Sequence, residues 1–132
     1  MVEVAISSGK RKSAVARAYV KKGKGIIRIN NLSLNAYPDY MKLIMGEPIQ
    51  LAKKYKDKVN IEVKVQGGGP ISQAEAARTA MAKALVAFSN DEELKKMFME
   101  YDRTLLVSDI RRKEPKKQLG RGARKKRQKS YR

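Results

Sequence analysis

The last twenty-two residues, Arg111 to Arg132, limit what the rest of this chain can build. They read RRKEPKKQLGRGARKKRQKSYR. Twelve are Lys or Arg and only Glu114 is acidic, so the stretch holds +11 of the chain's net charge of +18. Leu119, Ala123 and Tyr131 are its only sizeable apolar or aromatic residues. So little apolar surface cannot offset the entropy lost on ordering a backbone, and the like charges resist compaction. The stretch is expected to be extended by itself and to take shape only against a dense polyanion. A packed core must come from the 110 residues before it, enough for one small domain. The expected organisation is a globular domain over 1–110 followed by an extended basic tail over 111–132.

The rest of the charge is also segregated. Residues 1–28 hold eight basic groups and one acid, whereas residues 29–110 hold eleven of each. Solubility alone does not require a neutral body with two basic extremities; a partner of opposite charge, touched at particular places, does. Nucleic acid fits best. An anionic membrane fits less well, because the tail lacks the apolar face of an interfacial helix. No apolar run approaches the ~18 residues of a membrane span, and the start, MVEVAISSGKRK, lacks the apolar core of a signal peptide.

The chain has neither cysteine nor histidine. That removes disulfides, thiolate metal sites, the commonest general base and the commonest metal ligand. Serines such as Ser7, Ser8 and Ser13 have no histidine to activate them. No enzyme, cofactor, metal site or small-molecule substrate is expected. Asp102 and Asp109 are expected to pair with Arg103, Arg111 or Arg112 rather than to act as a catalytic pair.

Periodicity divides the globular part into elements. Val2 to Ser8 alternates as a short strand, and SSGKRK (Ser7 to Lys12) reads as a glycine turn carrying three cations. Ser13 to Val20 resumes the alternation, with Val15, Arg17 and Tyr19 opposite Ala14, Ala16, Ala18 and Val20. Lys21 to Gly25 reads as a tight turn, and Ile26 to Asn30 as a strand that pairs back in a hairpin. Asn30 to Pro38 reads as loop. Asp39 to Met45 reads as a short helix, broken at Gly46-Glu47-Pro48, with a second short helix opening at Pro48. Val59, Ile61, Val63 and Val65 alternate with polar residues in the cleanest strand signal, with one face core and the other wet.

Gly67-Gly68-Gly69-Pro70 leads into the longest helix, Ile71 or Ser72 to Phe88, rich in alanine and started by a Ser72–Glu75 capping box. Ser89 to Glu92 caps a further helix that turns Leu94, Met97 and Phe98 inward, and Leu105 to Val107 reads as an edge strand. This order implies an α+β fold, a two-layer sandwich with helices on one face of a mixed or antiparallel sheet. The triple glycine before a helix favours an anion. It lacks the Lys-Ser/Thr pair of a nucleotide loop and the G-x-G-x-x-G spacing, so contact with an RNA phosphate stands beside a plain flexible connection.

Three stretches resemble the small-subunit ribosomal protein S-nine family. They are Gly9 to Arg17 (GKRKSAVAR); Gly67-Gly68-Gly69 with Gln73-Ala74, Arg78 and Ala82 to Leu85; and Asp109 with Arg111 to Lys117 and Gly120 to Arg132. Thr79-Ala80, the Ser130-Tyr131-Arg132 ending and the short start are similar to the archaeal and eukaryotic branch, archaea above all. The resemblance implies a fold like the second domain of ribosomal protein S-five, with a left-handed βαβ crossover. It also implies a ribosome-bound, cytoplasmic protein in the head of the small subunit, touching ribosomal RNA, peptidyl-site tRNA and neighbouring head proteins.

Residues expected at ribosomal RNA are Lys10, Arg11, Lys12, Arg17, Gly67, Gly68, Gly69, Arg111, Arg112, Lys116, Lys117, Arg121, Arg124, Lys125 and Lys126. Arg127, Lys129, Ser130, Tyr131 and Arg132 are expected at the tRNA anticodon stem-loop, through phosphate and sugar. Arginine suits phosphate because its guanidinium forks bidentately, and Tyr131 can stack. Two other readings remain: a free nucleic-acid chaperone, and an RNA-processing subunit of similar fold, such as the protein part of ribonuclease P. The second would carry an R-N-R stretch inside a helix, which is absent here.

Overall fold

The computed structural model describes residues 3–131. It is an α+β sandwich. A five-stranded sheet, ordered β1-β2-β5-β3-β4, is formed by β1 (Val4–Arg11), β2 (Ala14–Lys22), β3 (Ile27–Ile29), β4 (Leu32–Ser33) and β5 (Val59–Gln66). There are three helices, α1 (Asp39–Leu51), α2 (Pro70–Ser89) and α3 (Glu92–Tyr101); α2 packs on the sheet, and α1 and α3 pack against α2. β1–β2, β2–β5 and β3–β4 are antiparallel, whereas β3 runs parallel to β5.

Alternation dictates the layers. Val59, Ile61, Val63 and Val65 on β5 are buried while Glu62, Lys64 and Gln66 are exposed, and β5 is the central strand. On β2 the buried face is Ala14, Ala16, Ala18 and Val20. Its alanines meet the alanines of α2, where Ala74, Ala76, Ala77, Ala80, Ala82 and Ala84 are all fully buried. Small residues on both sides let helix and sheet approach closely. Gly9 on β1 carries this furthest: a Cβ there would press on Ala76 O and stand 2.6 Å from Ala80 N.

Gly9 therefore lies within a strand, not in a turn. β1 continues through Arg11, with Gly9 opposite Ala16, and the chain reverses only at Lys12 and Ser13, where Lys12 has φ 53°. Ile26 to Asn30 also departs from expectation. β3 does not pair back on β2 but crosses to the far side of β5. The Asn60 side chain of β5 accepts from the amides of Lys24 and Ile26, and Gly23 N and Gly25 N donate to Lys58 O and Val59 O, carrying the connection over the end of β5. The expected loop from Asn30 contains a tight reversal at Asn30-Asn31, both at positive φ, then β4 and a 3-10 turn at Leu34–Ala36.

α1 is not broken at Gly46-Glu47-Pro48. It runs through to Leu51, with Met45, Gly46, Pro48 and Ile49 buried. An interior proline costs a helix about 3 kcal/mol; burial of this face and the pairing of Glu47 with Arg78 of α2 offset it. The Ser72–Glu75 capping box does not form. Pro70 occupies the first turn, Gly69 is the N-cap, and Glu75 turns to Arg11 instead. The cap of α3 is as expected: Asp91 accepts from Glu93 N and Leu94 N. Leu94 and Phe98 point inward, but Met97 is exposed. In place of the expected edge strand at Leu105 to Val107 there is a 3-10 turn, Arg103–Leu105, which buries Leu105 completely.

Candidate nucleic-acid interface

Because β1 continues through Gly9, its pleat divides the Lys10-Arg11-Lys12 cluster. Arg11 shares the buried face with Gly9, Lys10 lies on the opposite face, and Lys12 sits at the reversal. Arg11 is accordingly directed at the helices. Its Nε donates to Glu75 Oε2 and its Nη1 to Asp109 Oδ2, each at 2.7 Å. Asp109 also accepts from the Arg111 backbone N at 2.9 Å and from Arg111 Nη2 at 2.7 Å. Hydrogen bonding from the Arg111 side chain and backbone, helped by the charge of Arg11, holds the Asp109 carboxyl down at about 2.

Around this clasp Lys10, Arg11, Lys12, Ser13, Arg111, Arg112 and Lys113 line one open concavity of about 880 Å3. The tail thus begins beside the tip of the β1–β2 hairpin, a juxtaposition no local pattern discloses. Lys10, Lys12, Arg112 and Lys113 have no carboxylate partner among the described residues. Of the expected ion pairs, Asp109–Arg111 is present, whereas Asp102 pairs with Arg78 of α2 at 2.9 Å rather than with Arg103.

Arg17 belongs to a different surface, the sheet face turned away from the helices. Register aligns Ser8, Arg17 and Lys64 in one row, Val4, Lys21 and Asn60 in another, and Ile6, Tyr19, Glu62 and Arg28 between them. Ile6 is 62% exposed there. Lys64 Nζ lies 5.9 Å from the centre of the Tyr19 ring, within cation–π range. Arg17, Lys21, Arg28 and Lys64 make no ion pair among the described residues, and Glu62 is the only acid on these rows. Lys21, Arg28 and Lys64 are absent from the sequence-derived set. Alternation marks Lys64 as wet, but only the order β2-β5-β3 brings these cations onto one face.

The triple glycine has a local explanation for two of its members. Gly67 and Gly68 adopt φ 77° and 65°, and a Cβ would fall 2.6 Å from Ser13 O and 3.0 Å from Ala14 N, respectively. They let β5 turn tightly beneath the hairpin and into α2, and Gln73 Nε2 donates to Gly67 O. Gly69 alone has open space around it. The junction does lie next to Ser13, at the end of the sheet where the tail begins.

Along the tail, Lys116, Lys117, Arg121, Lys125, Lys126, Arg127 and Lys129 are exposed and unpaired among the described residues. Arg124 is the exception. Its guanidinium grips Glu114 (Nη2–Oε1 3.0 Å), closing a loop through Leu119, which has positive φ, and Gly120, whose N donates to Lys117 O. Ser130 is exposed, as is Tyr131 at 89%; Arg132 lies outside the described residues. Among the described residues no cluster of acidic side chains could hold a metal ion, and no helix is long and apolar enough to cross a membrane.

Comparison with known proteins finds relatives along nearly the whole chain. The family model described as ribosomal protein S9/S16 matches residues 9–132. The chain is 52% identical to small ribosomal subunit protein uS9 of Thermoplasma volcanium, across 99% of this chain and 100% of that one. It is 49% identical to the protein of the same name from Methanothrix thermoacetophila and 48% identical to that from Methanococcus vannielii, each across 99% of this chain and 100% of the relative. The match begins at Gly9, where α2 lies closest to the sheet, and runs through the tail; the chain belongs to the ribosomal protein S9/S16 family, a family of structural, non-enzymatic proteins.

Proposed function

We propose that this protein is a structural component of the small ribosomal subunit, bound to ribosomal RNA in the subunit head, with its basic tail reaching peptidyl-site tRNA. The observation that carries the reading is the segregation of cations unpaired among the described residues: hairpin tip, tail and open sheet face are all cationic, while Glu75, Asp109 and Glu114 beside the tip and tail are already occupied by arginines. Residues 1–110 act as the RNA-docking domain and 111–132 as an arm that enters spaces too narrow for a packed domain. Lys10, Lys12, Arg112, Lys116, Lys117, Arg121, Lys125 and Lys126 neutralise ribosomal RNA phosphates. Arg127, Lys129, Ser130, Tyr131 and Arg132 meet phosphates and sugars of the tRNA. Such contacts do not depend on sequence, as every tRNA must be accepted. We read the β3–α1–β5 connection as the left-handed crossover the family implies, and the site of action as cytoplasmic ribosomes beside neighbouring head proteins.

Two measurements test this. Reconstituted small subunits carrying a chain that lacks residues 128–132 will bind peptidyl-site tRNA about tenfold more weakly, with the unfolding midpoint of the free protein unchanged; unaltered tRNA affinity counts against the role of the arm's end. The triple variant Lys21→Ala, Arg28→Ala, Lys64→Ala will bind head-domain ribosomal RNA with a salt slope shallower by about 2 to 3, close to one for each phosphate no longer neutralised. An unchanged slope removes the open face from the RNA surface. Sedimentation of the native protein with small subunits separates this reading from a free nucleic-acid chaperone.

A further inference from the structure

After α3 the chain is held to the domain by the buried Leu105 and by side-chain bonds rather than by strands or α-helices. Arg78 Nη2 donates to Asp102 Oδ2 at 2.9 Å, Thr79 Oγ1 to Thr104 O at 3.2 Å, and Lys83 Nζ to both Ser108 Oγ and Ser8 O at 3.2 Å. With Glu75, which holds Arg11, these anchors fall at positions 75, 78, 79 and 83 of α2, three or four apart and hence on one stripe of the helix. The last tie is Asp109. One carboxylate there is shared between Arg11 of the domain and Arg111 of the arm. Arg11 and Asp109 are mostly covered, at 20% and 17% side-chain exposure, and Glu75 fixes the other edge of the Arg11 guanidinium. Beyond Arg111 no hydrogen bond returns to the domain among the described residues; those of the arm are internal to it.

We propose that Asp109 is the positioning residue that sets where the basic arm leaves the domain. Gripped by Arg11 from the domain and Arg111 from the arm, it directs the arm past the hairpin tip, so that Lys10, Lys12, Arg112 and Lys113 face one polyanion together. The consequence for RNA rests on the function proposed above; the consequence for the arm's geometry does not. A tethered second binding element contributes in proportion to the fraction of its orientations that reach the ligand. A fixed exit raises that fraction without any new interaction. Asp109 stays ionised down to about pH 2 and the chain has no histidine, so the grip persists unchanged across the range in which RNA binding is measured.

The sign of one mutation separates positioning from plain electrostatics. Asp109→Asn removes a negative charge beside the cationic concavity and releases two arginines. If charge alone mattered, full-length protein would bind a head-domain ribosomal RNA fragment more tightly. Positioning requires about five- to tenfold weaker binding with an undiminished salt slope, since no cation is removed. Asp109→Glu, which keeps the grip, stays within about twofold of wild type.

Spin labels on cysteines introduced at Lys113 and Gln66, in a chain with no native cysteine, report the geometry directly. Asp109→Asn and Arg111→Gln each broaden the distance distribution about twofold, and circular dichroism shows the domain still folded. Tighter or equal RNA binding by Asp109→Asn, or an unchanged distribution, overturns the inference. Failure of wild-type protein to bind the RNA would instead sink the proposed function and leave the distance measurement to judge the clasp.

Discussion

Gly9→Ala will destabilise the protein by about 3 kcal/mol, read as a lower urea midpoint at constant slope, and Gly9→Val by more. The reason is the identity of the atoms a side chain would meet. A Cβ at Gly9 would abut Ala76 O and lie 2.6 Å from Ala80 N, both in the backbone of α2. A flexible side chain could swing away, but a helix backbone held by its own hydrogen bonds cannot, so helix and sheet must part. That loosens the alanine-on-alanine packing of β2 and α2, in which Ala16, Ala18, Ala76, Ala77 and Ala80 are fully buried. A small domain has only about 5–15 kcal/mol of stability in total, so the loss is a large fraction. Gly69→Ala is the control. Nothing lies within 4 Å of its Cβ position, so the change should cost no more than about 1 kcal/mol, the preference of an N-cap for glycine over alanine. If Gly9→Ala is equally mild, the close approach of α2 is wrong.

The same glycine shows where sequence reasoning reaches and where it stops. Period-two alternation locates β2 and β5 and tells their buried faces from their wet ones, because each strand carries its own record of burial. The alanine content of α2 signals close packing. Glycine permits turns, so local pattern puts Gly9 in one; that it instead admits a helix backbone depends on Ala76 and Ala80, far along the chain. The partner of β3 is hidden for a similar reason. Ile26 to Asn30 has the pattern of a strand, but nothing within it distinguishes β2 from β5 as a neighbour; the Asn60 side chain that holds the crossing connection lies more than thirty residues away. On local grounds Pro48 breaks a helix, which burial of Met45, Gly46 and Ile49 overrides.

The candidate interface is legible to the extent that it is compositional. The tail announces itself by charge, and the GKRKSAVAR and triple-glycine stretches by family resemblance. Which cations are free and which are engaged is legible only for a local pair such as Arg111 with Asp109. Arg11 bonds Glu75 and Asp109 across 64 and 98 residues, and only the register places Lys64 beside Arg17.

Ending the chain after Ile110 will produce the largest change in RNA binding. The arm carries twelve basic residues, of which Arg111 and Arg124 are engaged by Asp109 and Glu114. If about eight phosphates are engaged in all, about five of them by the arm, the full-length protein should show a log–log salt slope near −6 to −7 on ribosomal RNA. Its affinity should fall by about 10³ to 10⁵ between 50 and 200 mM salt. The truncated chain retains Lys10, Lys12 and the open sheet face, so its slope should drop to about −2 to −3, with a loss of only roughly 10- to 100-fold over the same range. Its unfolding free energy should change by no more than about 1 kcal/mol, because among the described residues only Arg111 of the arm bonds the domain, through an exposed pair with Asp109, and the hydrogen bonds beyond it are internal to the arm. The two measurements must diverge: binding collapses while folding does not. A truncated chain that unfolds would show the arm to be part of the core, and one that keeps the full salt slope would show that phosphate contact resides in the domain.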